Sequence, residues 1–89
     1  MRQAFYTTRF TKDVALQQRR GKDFAKLKEV ISLLFDGQRL PERHRDHKPQ
    51  GRFAGFRECH IDGDWLLIYK LDGETIYFTR TGTHADLFE

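Results

Sequence analysis

Apolar residues change their period partway along this chain. Over residues 24–35 they recur at helical spacing, with Phe24, Leu27, Val30, Ile31, Leu34 and Phe35 on one stripe, the pattern of a helix that buries one side. Asp23 stands where an N-cap belongs and Gly37 where the chain can turn out of the helix. Upstream, Thr8 or Thr11 can cap a helix running to about Arg20, with Phe10 and Val14 facing inward and Gly21 ending it. So short a turn between two helices makes an antiparallel helical hairpin. Residues 3–8, with Phe5 and Tyr6, read as a first strand. Farther on, Phe56–Ile61, Trp65–Leu71 and Glu74–Thr83 are rich in aromatic and β-branched residues and read as strands. Asp62-Gly63 and Asp72-Gly73 between them are hairpin signals, and the tail from His84 is expected to form one short turn. The predicted fold is α+β with the order β-α-α-β-β-β, an N-terminal strand and helical hairpin packed on an antiparallel sheet.

Residues 38–52 break both periods. Two prolines and almost nothing apolar predict a loop, and a loop of this length in a small domain is usually functional or mobile. It gathers Arg39, Arg43, Arg45, Lys48 and Arg52. The whole chain, 89 residues with a formal charge of +3, suits one domain over 1–89. Its charge makes a polyanionic partner plausible mainly because it is clustered in that loop. One cysteine, Cys59, excludes an intramolecular disulfide. The N-terminus has no apolar segment of signal-peptide kind and no run is long enough to span a membrane, so the expected location is the cytoplasm, with no membrane partner.

The two hairpins permit a sharper expectation. If Asp62-Gly63 and Asp72-Gly73 are each two-residue turns, His60 faces Trp65 and Trp65 faces Arg80, which places His60, Trp65 and Arg80 in one cross-strand row. Such a row offers proton transfer, base stacking and phosphate binding on one patch. Asp64, His84, His47 and Phe88 are positioned to reach it. RNA carries its own nucleophile in the 2′-hydroxyl, so cleavage needs a base, an acid for the 5′-oxygen and positive charge for the transition state. Histidine suits either proton role and Arg80 the charge, while Trp65 and Phe88 could stack splayed bases. No HExxH or CxxC spacing is present, so no metal or other cofactor is expected. Cys59 has the opposite strand parity from His60 and reads as a small buried residue; His44 reads as a surface residue.

These residues also carry a resemblance. Asp46-His47, Gln50-Gly51, Gly55-Phe56-Arg57 with His60, Asp64-Trp65 through Tyr69-Lys70-Leu71, and Arg80-Thr81-Gly82-Thr83-His84 with Phe88 resemble the YafQ toxins of the RelE/ParE superfamily. The likeness extends over nearly the whole chain, and the Asp-Trp…Tyr-Lys and Arg-Thr-Gly-Thr-His segments are its specific parts. It implies a RelE-like fold and a type II toxin that cleaves mRNA on the 70S ribosome; the lack of ligand spacing beside these His, Asp and Arg residues adds the expectation that cleavage needs no metal. It further implies contacts to ribosomal RNA and a cognate DinJ-like antitoxin. The family's functional positions fall on His47, His60, Asp64, Trp65, Arg80, His84 and Phe88. Two other readings stay open at this level: a ParE-like toxin that inhibits without catalysis, and a small basic RNA-binding module.

Overall fold

The computed structural model describes residues 2–48 and 55–89. Along the chain come β1 (Gln3–Tyr6), α1 (Thr8–Arg19), α2 (Phe24–Phe35), a 3-10 turn at Glu42–His44, β2 (Arg57–Asp62), β3 (Trp65–Asp72), β4 (Thr75–Gly82) and α3 (His84–Phe88). This is the expected order, and α3 is the short turn expected of the tail. Asp23 caps α2 by accepting from Ala25 N, as its sequence position indicated. The cap of α1 is Thr7, not Thr8 or Thr11: its Oγ1 accepts from Phe10 N at 2.9 Å. That hydroxyl also donates to Thr79 O on β4 at 2.8 Å, so a tertiary contact selects the cap. No helix among the described residues is long and apolar enough to cross a membrane.

The sheet runs β1-β4-β3-β2. β1 pairs with β4 in parallel, returned there by the helical hairpin, and the other pairings are antiparallel. Both hairpin turns lie one residue later than the sequence suggests. Asp62 pairs with Trp65 and Asp72 with Thr75, so the turns are Gly63-Asp64 and Gly73-Glu74. Gly63 (φ 56°) and Gly73 (φ 58°) take the first turn position, where the left-handed backbone of a tight hairpin favours glycine.

Two further irregularities overturn the expected row. The register shifts between His60 and Asp62, and again on β4 where Ile68 pairs with Arg80 but Tyr69 with Phe78. Each shift inserts one extra residue, Ile61 and Thr79, and a one-residue insertion sends the side chains beyond it to the other face. His60 therefore stands opposite Leu66, and Arg80 opposite Ile68. These two keep a common face by register, but Trp65 does not share it. Trp65 lies with Cys59, Leu67, Tyr69 and Phe78 against Phe10 of α1 and Leu27, Val30 and Leu34 of α2. It is 2% exposed and donates its indole N–H to Thr81 Oγ1 at 2.9 Å, so it cannot stack a base. The opposite face holds a smaller cluster of Leu66, Ile68 and Leu87, with Phe56 and Phe88 packed against it.

α1 continues past the end of β1 along the distal half of β4. Its Asp13 is buried and accepts from Arg80 Nε at 2.6 Å, from Arg80 Nη2 at 3.3 Å and from Thr81 N at 3.1 Å. The described part of the loop after α2, residues 38–48, is more ordered than its composition suggests. Leu40 joins the main core, and His47 forms a two-hydrogen-bond bridge with Glu58. His44 is not a surface residue. It is 5% exposed and donates Nδ1–H to the His60 carbonyl at 2.6 Å, a contact that appears only once the loop lies on β2.

Candidate active site

The unshared face of β2 and the start of α3 bring three imidazoles together. His47 and His60 have ring centroids 6.2 Å apart, His60 and His84 are also 6.2 Å apart, and Phe88 lies 5.9 Å beyond His84. Each ring is fixed by a different partner. His60 Nδ1 faces the Gly63 carbonyl at 3.0 Å. A carbonyl only accepts, so Nδ1 carries the proton and, in the neutral ring, Nε2 has the free lone pair. His84 Nδ1 donates to Asp64 Oδ1 in a short contact, and the His84 backbone N–H reaches the same oxygen at 3.2 Å. The His84 side chain first, and its backbone N–H second, hold the Asp64 carboxyl below the usual carboxylate range. His47 has acceptors at both ends, Glu58 Oε2 3.1 Å from Nε2 and Lys48 O 3.1 Å from Nδ1.

Local chemistry explains how these residues come to meet. The bulge at Ile61 turns His60 onto this face, and the Gly63-Asp64 turn places Asp64 at the hairpin tip. Thr83 and Asp86 form a capping box that starts α3. Asp86 also accepts from Gln17 Nε2 at 3.0 Å and Arg20 Nη1 at 2.6 Å, tying α3 to α1. A Cβ on Gly82 would lie 2.9 Å from Asp86 Cβ and Oδ2, so only glycine lets α3 fold back this closely and present His84.

Other expected site residues are dispersed. The hydrogen bonds of Arg80 go to Asp13, and its side chain is 14% exposed. Register sets it in the row Glu58, Ile68, Arg80, beside the row His60, Leu66, Gly82. Arg43 turns to Glu29 on α2 at 3.6 Å. Arg39 and Arg45 line a cavity with Arg2 and Arg57. Lys48 is exposed next to His47, and Arg52 lies outside the described residues, as do Gln50 and Gly51. The described loop cations thus do not form one field around the imidazoles. Cys59 is fully buried and burial pushes its thiol up, which removes it from nucleophilic chemistry.

Glu58 is the residue that sequence reasoning missed. It is 5% exposed and shares strand parity with His60, a signal that could have drawn attention to it. His47, Glu58 and His60 each offer a ligand atom, and these atoms lie within 4.8 Å of one another. The set could hold a metal ion. No sequence spacing announces it, because the loop-to-strand bridge assembles it.

Comparison with known proteins gives a consistent picture. Residues 2–89 match the family described as a bacterial toxin of type II toxin-antitoxin system, YafQ. The chain is 46% identical over 84 residues to the mRNA interferase toxin YafQ of Escherichia coli K12, covering 93% of this chain and 91% of that protein. Its fold matches a chain in the crystal structure of the E. coli DinJ-YafQ complex with a TM-score of 0.92 and 44% identity over the full length of both. A metal-bound toxin from Helicobacter pylori matches with a TM-score of 0.90 and 32% identity, covering 99% of this chain and 100% of that one.

Proposed function

This chain belongs to the YafQ family of bacterial type II toxins, and from that premise we propose that it is a ribosome-dependent endoribonuclease that cleaves mRNA and so blocks translation. The observation that carries the reading is the line of imidazoles whose Nδ1 atoms are held differently. His60, held by a carbonyl, presents a free Nε2 and acts as the general base toward the 2′-hydroxyl. His84, held by a carboxylate, acts as the general acid. Asp64 orients the His84 ring by accepting its Nδ1–H and its backbone N–H. The oxygen at 2′ attacks phosphorus, the bond from phosphorus to the 5′-oxygen breaks, and the proton from His84 goes to that oxygen. The products are a 2′,3′-cyclic phosphate and a 5′-hydroxyl end, so no redox partner or metal is required. His47, held between Glu58 and the Lys48 carbonyl, lines the phosphate site beside His60. Phe88 offers a ring on which a displaced base can stack. Arg80 reaches the transition-state charge from the adjacent row, with Asp13 holding its guanidinium. The whole chain acts as one toxin domain. A DinJ-like antitoxin neutralises it, a reading supported by the complex of the E. coli relative.

Programmed 70S ribosomes supply the test. Purified protein is expected to generate discrete mRNA ends, and His84→Ala to lower the single-turnover rate about 10²–10⁴-fold. An RNA with sulfur in place of the 5′-oxygen at the cut site has a leaving group that needs no proton. It should rescue His84→Ala and leave Arg80→Ala impaired. Rescue of neither variant would remove His84 as the acid and pass that role to His47.

A further inference from the structure

A second basic site lies away from the imidazoles. A cavity of about 390 Å³ is lined by Arg2, Arg39, Arg45 and Arg57 together with Glu42 and Asp46, a size within the range of about 300–1,000 Å³ seen for ligand clefts. We infer that this cavity binds a second phosphate of RNA, distinct from the phosphate that is cut. The inference rests on the reading of the protein as an RNA-directed toxin and adds a contact to it.

The charges in the cavity are unevenly spent. Asp46 is engaged through one oxygen, Oδ1, which accepts from Arg57 Nε at 3.2 Å and from Tyr69 Oη at 2.6 Å. Arg2 is anchored by donating Nη1 to the Leu34 carbonyl at 2.7 Å, near the end of α2, and keeps further N–H groups for the cavity. The side chains of Arg39 and Arg45 have no hydrogen bond or ion pair among the described residues, although Glu42 and Asp46 share the cavity with them. The lining thus holds four guanidinium groups against two carboxylates, an excess that favours an anion. Guanidinium forks match the paired non-bridging oxygens of a phosphodiester. Arg45 adds a second observation. At φ 45° it is the sole described residue other than glycine with positive φ, a conformation glycine adopts without strain. The chain carries a cationic side chain at a position whose backbone favours glycine.

Placement favours RNA over an acidic protein segment. Asp46 precedes His47, and Arg57 precedes Glu58. Successive strand residues point to opposite faces, so Arg57 pairs with Tyr69 on the core-facing side while Glu58 faces the imidazoles. β2 is an edge strand of the sheet, and one nucleic-acid assembly can meet both sides of that edge. mRNA lies at the imidazoles, and a neighbouring phosphate of mRNA or ribosomal RNA enters the arginine cavity.

Binding to purified 70S ribosomes, followed across salt concentrations, tests this. Arg39→Gln/Arg45→Gln is expected to weaken affinity about tenfold or more and to reduce the salt slope of log K by about 2. The single-turnover cleavage rate at saturating protein should stay within about twofold of wild type. Arg45→Gly removes the same side chain while relieving its backbone, so it should lose affinity with thermal stability unchanged or raised. Lys12→Gln, an exposed charge change on α1, serves as the matched control. The inference is overturned if the double variant behaves like Lys12→Gln. It is also overturned if ribosome binding is kept and affinity for the antitoxin falls instead, which makes the cavity a protein site. Short mRNA fragments and vacant ribosomes distinguish the two phosphate sources. Absence of cleavage by wild-type protein would defeat the catalytic reading alone, because the salt slope still reports on the cavity.

Discussion

His60 and His84 are chemically identical side chains given different work by the atoms behind them. A carbonyl behind His60 fixes its tautomer and leaves a lone pair outward, whereas a carboxylate behind His84 accepts its Nδ1–H and fixes the ring at the tip of the hairpin. Unequal surroundings for neighbouring titratable groups are how acid and base roles separate. The same lone pair on His60 is also a metal ligand, and it lies with His47 and Glu58 in one potential coordination set. Occupation by a transition metal would remove the base. Zinc titrated into the free protein is therefore expected to bind, and Glu58→Gln to weaken that binding at least tenfold by removing one ligand. Zinc should inhibit mRNA cleavage, and a transition-metal chelator should leave cleavage intact on ribosomes shown to survive the treatment. Stimulation by zinc, or loss of cleavage with chelator on intact ribosomes, would contradict a metal-independent reaction.

At the level of elements, the role proposed for His84 depends on how α3 is anchored. Five residues cannot sustain a helix alone, so α3 depends on Leu87 in the small cluster and on Asp86. The hydrogen bond from Arg20 is the largest cause holding the Asp86 carboxyl well below the usual carboxylate range; burial opposes it and Thr83 and Gln17 add to it. A carboxyl depressed in the folded state contributes stability that is present above its unfolded value of about 3.9 and is lost as pH falls through the lower folded value. Docking of α3 is thus expected to hold from neutral pH down to about pH 4 and to weaken below it. Asp86→Asn should lower the melting temperature at pH 7 and flatten the acid limb of a melting-temperature profile followed by circular dichroism. It should also slow cleavage, because His84 rides on the same helix. Wild-type and variant profiles that run parallel through the acid range would count against this anchor.

Across the whole molecule, the sheet separates two jobs. One face is the main core against α1 and α2, and the other carries the imidazoles beside a smaller apolar cluster. Trp65 belongs to the first job. Trp65→Ala is expected to destabilise the protein by about 3–5 kcal/mol in urea unfolding. Trp65→Phe should cost less, about 1–3 kcal/mol, through the smaller ring and the lost indole hydrogen bond, since the Thr81 hydroxyl keeps its bond to the Leu66 carbonyl. Under conditions where both variants are folded, the cleavage rate at saturating protein should remain near that of wild type. A large loss of rate in a variant of undiminished stability would instead put the ring in the path of the substrate.

The sequence by itself determined the periods and their punctuation: the stripe from Phe24 to Phe35, the cap at Asp23, the strand runs and the glycine-containing turns. It also supplied the histidines and Asp64, together with a family likeness that carried the fold. Tertiary structure decided which face each residue occupies. A strand pattern repeats every two residues, so one inserted residue, Ile61 or Thr79, reverses the facing of every later position in its strand. Whether an insertion forms depends on how both strands pack, and local sequence contains no such term. The same limit explains Glu58, whose partner His47 arrives through a loop, and His44, which is buried because that loop lies on β2. It explains Thr7, whose hydroxyl is claimed by β4, and the loop arginines, which charge counting places together and packing sends to different partners.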